Sequence, residues 1–260
     1  MLRTVRATRY VTPLREGGSL PAIVEADDDG LYVLKFRGAG QGAKALVAEV
    51  ICAEIGRTLG LPVPEVVLVE LDAAIGQNEP DEEIQDLLRK SVGLNFGIDY
   101  LPGALGFDGA AARAFDPVLA ARVIWFDAFV TNIDRTAKNP NILMWHREPW
   151  LIDHGAALYF QYDWDGSTAK SANPFPQVRD HVLLQAASSI ADVDGAARAS
   201  LKDDLLGGIL AMVPQDWLEA DGPTMAADAS RAAYVAYLGT RRDASQNFVE
   251  EAEGARTGRV

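Results

Sequence analysis

Three polar side chains in the middle of the chain have types and spacing that could do chemistry. Asp134 is followed five residues later by Asn139, and Asp153 lies beyond two short apolar runs at 142–145 and 150–152. The polar turn HREP between these runs predicts a β-hairpin. Because a hairpin brings the loops at its two outer ends together, we expect the three side chains to converge. Two carboxylates and an amide oxygen make a hard, oxygen-rich site suited to magnesium, in which one carboxylate could orient a hydroxyl group.

The segments around these residues predict a mixture of strands and helices. A nearly all-apolar helix predicted over 117–130 leads directly into Asp134, so we expect it to be buried. Residues 95–105 are interpreted as a loop because glycine and proline punctuate them. Strands are predicted at 5–11, 22–25, 31–36 and 66–71, with a hairpin signal at Asp29-Gly30. Other helices are predicted at 44–60, 81–91, 182–190, 196–212, 214–220 and 226–247.

The composition excludes several classes of partner. The chain has 260 residues, 48% of them hydrophobic, which is enough for one large domain or two small lobes. Its net charge of -13 disfavours nucleic-acid backbones and anionic membranes, since both need clustered Lys and Arg. We see no signal-peptide or membrane-spanning run, and the one cysteine, Cys52, permits no intrachain disulfide. We therefore expect a soluble, cytoplasmic protein with a disordered tail over 251–260.

Two features near the N-terminus have alternative interpretations. Lys35 lies in an apolar strand, where it either points to solvent or meets a charge, because an unpaired buried ammonium is costly. Alternation along the strand places it on the opposite face from Leu34. The turn containing Gly17, Gly18 and Ser19 is either an ordinary glycine-rich turn or a loop whose backbone amides approach a phosphate.

The motifs together resemble a known catalytic core. DRTAKN at 134–139, followed one hairpin later by DHG at 153–155, resembles the protein kinase-like superfamily, most closely its HipA-like and phosphoinositide-kinase-like branches. KFRGAGQG at 35–42 is similar to a stretch in HipA-like kinases. The resemblance implies an α+β, two-lobed protein kinase-like fold. Residues 1–72 would form a small antiparallel-sheet N-lobe with one helix, and residues 73–250 a mainly helical C-lobe.

The resemblance implies roles for the central residues. Asp134 would orient the attacking hydroxyl and accept its proton, while Asn139 and Asp153 would hold magnesium ions that bridge the nucleotide phosphates. The chain departs from its relatives at two positions. Thr136 stands where they usually carry a histidine, and His154 stands where phenylalanine is usual.

The resemblance also implies how a nucleotide would be held. Lys35 would contact the α- and β-phosphates and pair with an acid on the next helix, for which Glu49 is preferred to Glu54. The backbone groups of an interlobe hinge would bind the adenine edge. The remaining implied contacts are the phosphate-loop residues Gly17, Gly18 and Ser19 and the hinge residues Glu70, Leu71 and Asp72.

The resemblance therefore favours an ATP- and Mg²⁺-dependent phosphotransferase. It would move the γ-phosphate of ATP to a hydroxyl group, with a protein serine or threonine as the preferred acceptor. Two other functions fit the same residues. One is a nucleotide-binding pseudokinase that acts as a scaffold, and the other is an enzyme that transfers AMP instead of phosphate. The sequence does not identify the acceptor.

Overall fold

The chain folds into a mixed α+β structure, with sheet in its N-terminal part and helices in its C-terminal part. The computed structural model describes residues 1–14, 20–40, 42–76, 79–164, 170–219 and 226–258. Gly17, Gly18 and Ser19, the predicted phosphate-loop residues, lie outside these ranges. None of the helices formed by the described residues has the length and apolar character needed to cross a membrane.

Five strands near the N-terminus form one sheet in the order β1-β2-β3-β5-β4. Most neighbours are antiparallel, but β1 also pairs in parallel with β4, from Arg3 opposite Val67 to Arg6 opposite Glu70. The sheet therefore closes on itself, which corrects the expectation of a purely antiparallel sheet. The strands are β1 (Arg3–Pro13), β2 (Ala22–Ala26), β3 (Leu31–Lys35), β4 (Val66–Leu71) and β5 (Gly93–Asp99).

Strand β5 corrects the interpretation of residues 95–105 as a loop. It pairs with both β3 and β4, so the sheet extends beyond residue 72, where the N-lobe was predicted to end. The glycine that suggested a turn is needed inside the sheet instead. A Cβ atom on Gly97 would lie 2.5 Å from a methyl carbon of Val69 and 2.9 Å from one of Val67. Glycine in a strand often marks such a close approach.

The two faces of β3 have different environments. Tyr32 and Leu34 are buried inside the closed sheet, together with Val24 and Val67. Lys35 points to the other face, as alternation along the strand predicts. This outer face looks toward α1 (Gly42–Thr58) and the remainder of the molecule.

Helix α1 joins the sheet to the helical part of the chain. Nearly all of its side chains are buried, and its apolar residues share one large core with β4, β5 and α3 (Pro117–Phe129). Helix α3 begins at Pro117, after an Asp116 side chain that accepts the backbone N–H of Leu119. As predicted, α3 is buried and ends just before Asp134. Helix α2 (Glu82–Lys90) instead packs against the interior of the closed sheet through Ile84 and Leu88.

The predicted hairpin is confirmed, although its turn is tighter than HREP suggests. Strands β7 (Ile142–Trp145) and β8 (Glu148–Leu151) pair from Ile142 opposite Leu151 to Trp145 opposite Glu148. The two residues between them, His146 and Arg147, both have positive φ angles, 51° and 70°. Such two-residue turns match the twist of a hairpin. A short strand, β6 (Leu105–Gly106), pairs with β7 on its other side.

The C-terminal helices correct several boundaries. Residues 182–190 form turns, and the helices predicted over 196–212 and 226–247 are each interrupted. The predicted disordered tail is helical up to Thr257, because Phe248, Val249 and Ala252 are buried in the main core. The helices are α4 (Ala191–Ser200), α5 (Asp203–Leu210), α6 (Gln215–Leu218), α7 (Ala227–Asp243) and α8 (Gln246–Thr257).

Candidate active site

Three charged side chains from distant parts of the chain meet at one place. The ammonium of Lys35 forms an ion pair with Glu49 Oε1, and its Nζ lies 2.6 Å from Asp153 Oδ1. Lys35 is the last residue of β3, Glu49 lies in the middle of α1, and Asp153 follows β8. We call these three residues the cleft cluster. Glu54, the alternative acid, forms an ion pair with Arg57 instead.

Tight packing around Glu49 fixes the DHG segment against α1. Glu49 is 1% exposed, and its second carboxylate oxygen accepts the backbone N–H of His154 at 3.0 Å. A Cβ atom on Gly155 would lie only 3.1 Å from Glu49 Oε1. The glycine of DHG is therefore explained by its close approach to the carboxylate.

Charge and burial shift the pKa values of the cleft cluster. Burial raises the pKa of the Glu49 carboxyl, although the Lys35 charge acts against this. Burial also acts to raise the pKa of Asp153, but the Lys35 charge and the hydrogen bonds to Lys35 and Glu49 together outweigh it, so the pKa is lowered. Burial alone would lower the pKa of Lys35, yet the two carboxylates outweigh it and raise the pKa. Lys35 and Asp153 are therefore both held in their charged forms.

The loop between α3 and β7 places three amide side chains around Asp134. Asn139 donates its amide to Asp134 Oδ2 at 2.8 Å, and Asn132 Oδ1 accepts the Asp134 backbone N–H at 3.1 Å. Asn141 donates to Asp134 Oδ2 at 3.3 Å and to the backbone oxygen of Asp153 at 3.4 Å. Asn141 thus links the carboxylate of Asp134 to the backbone of Asp153. Sequence analysis missed it, although its position directly before the first hairpin strand was a usable signal.

Behind this loop lies a second group of charged side chains. Asp127 Oδ2 accepts Arg135 Nε at 2.6 Å and contacts His181 Nε2 at 2.9 Å. Asp127 Oδ1 accepts the Asn132 amide at 2.9 Å. We call Asp127, Arg135 and His181 the support cluster. The side chains of Asp127 and Arg135 are 1% and 0% exposed, and the adjacent arginine and histidine hold the pKa of Asp127 well below its usual range despite burial.

The His154 ring is buried without a hydrogen bond among the described residues, and its Nδ1 lies 3.9 Å from Glu49 Oε2. It is 0% exposed, packs edge-on against Phe126, and neither ring nitrogen has a hydrogen-bond partner among the described residues. Burial lowers its pKa to about 3, and the charges of Arg135 and Lys35 act in the same direction. His154 is therefore neutral at physiological pH and serves as a packing residue.

A cavity of about 640 Å³ opens beside the cleft cluster. Lys35, Glu49 and Asp153 line it, and most of the remaining lining is apolar. Val33, Phe96 and Ile98 contribute from the sheet, and Leu143 and Ile152 contribute from the hairpin region. An apolar slot with a few charged groups at one side is typical of a small-molecule site.

The predicted hinge residues lie away from this cavity. The cavity is bordered by Asp99, the last residue of β5, and by Tyr100 and Leu101, which follow it. Antiparallel pairing puts Val66 opposite Ile98 but Leu71 opposite Gly93, so Glu70, Leu71 and Asp72 lie at the far end of β4, roughly 17 Å away along the strand. Leu71 is buried inside the closed sheet, and Glu70 lies at the surface near Arg6. The missed strand β5 is the reason for this correction.

The described residues offer few acidic groups for a metal. No group of three or more His, Cys, Asp or Glu side chains within the described ranges is arranged to hold a metal ion. Asp153, whose side chain is 47% exposed, and the amides of Asn139 and Asn141 are the available oxygen donors near the cavity. Such a set suits a metal that draws its other ligands from water and from a bound phosphate.

Comparisons with known proteins agree with this geometry. The structure is similar to the crystal structure of a Helicobacter pylori proinflammatory kinase, CtkA, with a TM-score of 0.53 and 13% identity, covering 98% of this chain and 99% of that one. This likeness shows the fold, which is that of a kinase. The family model for HipA-like kinases matches residues 8–250, so the chain belongs to the HipA-like kinase family. No curated protein sequence matches the chain.

Proposed function

We propose that this HipA-like kinase is an ATP- and Mg²⁺-dependent phosphotransferase that moves the γ-phosphate of ATP to a protein serine or threonine. One observation carries the proposal: Lys35 contacts both Glu49 and Asp153 at the wall of a cavity, and Asn141 ties Asp134 to the same place. A cation, a metal-binding carboxylate and a carboxylate for the acceptor hydroxyl are the parts that phosphoryl transfer needs.

The cavity fits a nucleotide. Its apolar walls, with Val33 and Ile98 on the sheet side and Leu143 and Ile152 on the hairpin side, suit a planar base between two lobes. We assign the base-edge contacts to the backbone of the 99–101 segment, in place of residues 70–72.

A phosphate loop at Gly17, Gly18 and Ser19 remains part of the proposal. These residues lie outside the described ranges, but Leu14 and Pro21 on either side of them line the cavity. The backbone N–H of Leu14 donates to the oxygen of Pro21 at 2.7 Å, which closes the base of the loop. The described residues on either side of the predicted phosphate loop therefore border the cavity.

The donor set fits magnesium. Mg²⁺ is usually bound through one or two carboxylates together with waters and substrate phosphates, so Asp153 with Asn139 or Asn141 is sufficient. When bound, the ion neutralises charge on the phosphate groups. Asp153 must exchange its contact with Lys35 for this role, and its exposed side chain leaves room to do so.

Each residue of the proposed site then has a distinct role in phosphoryl transfer. Lys35, held by Glu49, offers a fixed positive charge to the nucleotide phosphates. Asp134 orients the acceptor hydroxyl and takes its proton as the hydroxyl oxygen attacks the γ-phosphorus of ATP, while the bond from that phosphorus to the β-phosphate breaks and ADP leaves. Because the amides of Asn139 and Asn141 both donate to Asp134 Oδ2, the other carboxylate oxygen is left for the hydroxyl. Catalysis rests mainly on positioning and charge stabilisation.

The test is intact-mass analysis after incubation with ATP and Mg²⁺, with and without a dephosphorylated acceptor protein. The Asp134→Asn variant should bind ATP but transfer nothing, whereas Asp204→Asn, at an exposed position of α5, should behave as wild type. A gain of one phosphate on either protein supports the proposal. A gain of AMP would show the alternative chemistry, and ATP binding without transfer to either protein would favour a pseudokinase.

A further inference from the structure

The support cluster connects two segments that are distant in sequence. Asp127 lies at the end of α3, Arg135 directly follows Asp134, and His181 follows the 3-10 turn Pro176–Asp180. The segment around His181 runs beside the loop that carries Asp134. Thr136 and His181 form an isolated antiparallel bridge, and the backbone N–H of Val182 donates to the oxygen of Arg135 at 3.0 Å.

The hydrogen bonds of His181 define its tautomer. The backbone N–H of Leu183 donates to His181 Nδ1 at 3.1 Å, so this nitrogen carries a lone pair. The proton of the neutral ring therefore lies on Nε2 and is donated to Asp127 Oδ2 at 2.9 Å. His181 thus contacts Asp127 through Nε2 and the backbone of its own segment through Nδ1.

Arg135 links Asp127 to the part of the loop that contacts Asp134. Its guanidinium donates to Asp127 on one side and to the backbone oxygen of Asn141 on the other. Asn141 in turn donates to Asp134 and to the backbone of Asp153. Hydrogen bonds through Asp127, Arg135 and Asn141 therefore connect His181 to the Asp134 carboxylate and to the backbone of Asp153.

The segment before His181 is also attached elsewhere. Arg179 lies 3.5 Å from Glu251 of α8, and the turn Pro176–Asp180 packs against that helix. This segment follows the DHG turn in the sequence and returns to the loop that carries Asp134. The contact between His181 and Asp127 adds a buried side-chain link to the backbone bridge between them.

We propose that His181 is a positioning residue for phosphoryl transfer: through Asp127 and Arg135 it sets the catalytic loop in register with the segment at 176–182. This inference rests on the proposed function. His181 touches neither nucleotide nor acceptor, so its loss should lower turnover without weakening nucleotide binding. Misplacing a catalytic group by about 1 Å can cost about 100-fold in rate.

Two substitutions separate the two hydrogen bonds of the ring. His181→Asn keeps an acceptor near the position of Nδ1 for Leu183 but cannot reach Asp127. His181→Gln places an amide donor near the position of Nε2 and can restore the contact with Asp127. The measurements are acceptor phosphorylation under saturating ATP, ATP affinity, and hydrogen exchange of the peptides that cover 132–142 and 176–184.

We expect His181→Asn to lower turnover about 10- to 100-fold, to leave ATP affinity within about threefold, and to speed exchange in both peptides. His181→Gln should recover most of the rate and the protection. The inference is overturned if His181→Asn keeps wild-type turnover and exchange, or if both variants lose ATP affinity and global stability together. If wild type transfers no phosphate, the proposed function fails and the role in transfer fails with it, whereas faster exchange confined to the two peptides of His181→Asn would still show that His181 holds these two segments together.

Discussion

The cleft cluster and the support cluster contain similar groups but have opposite surroundings. In the cleft cluster, Asp153 is 47% exposed and Lys35 borders the cavity, so each can exchange its ion-pair partner for a bound ligand. In the support cluster, Asp127 and Arg135 are sealed from solvent and satisfied by one another. A charged group that can exchange partners serves chemistry, whereas one whose partners are all internal serves structure.

Substitutions in the two clusters should have different effects on the free energy of unfolding. Removing one member of a sealed pair leaves a buried charge without compensation, which is strongly destabilising. Removing Lys35 or Asp153 leaves partners that can gain a proton or reach water. Removing Asp127 or Arg135, the sealed pair of the support cluster, should therefore act mainly on stability, whereas substitutions in the cleft cluster should act mainly on turnover.

The largest effect on stability is expected for Asp127→Ala. Arg135 would lose its carboxylate while remaining buried, so the free energy of unfolding should fall by about 3–5 kcal/mol. Urea unfolding followed by circular dichroism measures this change. Asp127→Asn keeps the shape of the side chain and should cost less. If Asp127→Ala lowers the free energy of unfolding by less than about 1 kcal/mol, the support cluster is no more important for stability than a surface ion pair.

Lys35→Met should change the rate more than the stability. Removing a fixed charge aimed at the developing charge of the transition state costs about 10²–10³-fold in turnover. Glu49 can take up a proton because burial already raises its pKa, so the variant should remain folded. Lys202→Met, at an exposed position, is the matched control in a phosphoryl-transfer assay. A loss of less than about tenfold in Lys35→Met would contradict the role of Lys35.

His154→Phe should stabilise the protein and flatten its pH dependence. The variant removes unsatisfied ring nitrogens, which should add about 1–3 kcal/mol. The pKa of folded His154 is about 3, whereas an unfolded histidine titrates near 6.5. Between these values the unfolded chain binds the extra proton, so wild-type stability falls as pH falls, by up to about 1.4 kcal/mol per unit.

Urea unfolding at pH 7 and pH 5 checks this prediction. The advantage of His154→Phe should widen by about 2 kcal/mol at pH 5, because only the wild type has this histidine to protonate on unfolding. An equal difference at both pH values would mean that His154 is not held neutral in the folded protein. Lower stability of the variant at pH 7 would mean that the ring nitrogens are satisfied.

The smallest effect is expected for Glu70→Ala. Glu70 lies 3.8 Å from Arg6 at the surface, and both side chains are more than half exposed. Such pairs contribute about 0–1 kcal/mol. ATP affinity should stay unchanged, because the cavity is bordered by residues 99–101 instead. A clear loss of ATP affinity in calorimetry would restore the hinge that the sequence predicted at 70–72.

Local patterns predicted much of the fold. Alternating apolar residues identified β1 to β4, helical spacing identified α1 and α3, and the polar turn identified the hairpin. Sequence analysis missed strand β5 because glycine is typical of turns. The need for glycine at position 97 follows only from the close approach of Val67 and Val69 in the folded sheet. Sequence analysis missed the C-terminal helix because its polar residues outnumber the few apolar residues through which it packs on the core.

The candidate site was predictable only in part. The hairpin pattern singled out Asp153 and strand alternation singled out Lys35, but the pairing of Lys35 with Glu49 came from the resemblance. No local pattern connects Lys35 with Asp153, which is 118 residues away. The contact between Asp127 and His181 spans 54 residues and carries no motif at all. The hinge was misplaced because it depended on the missed strand. Long-range contacts of this kind follow from tertiary packing and not from spacing.

The most direct test of the account is calorimetric titration with ATP, with and without Mg²⁺, of wild type, Asp153→Ala and the surface control Glu70→Ala. We predict that Mg²⁺ strengthens ATP binding to wild type and to Glu70→Ala, and that Asp153→Ala loses this dependence. Equal affinity of Asp153→Ala and wild type in Mg²⁺ would contradict the assignment of the cleft cluster as the nucleotide and metal site.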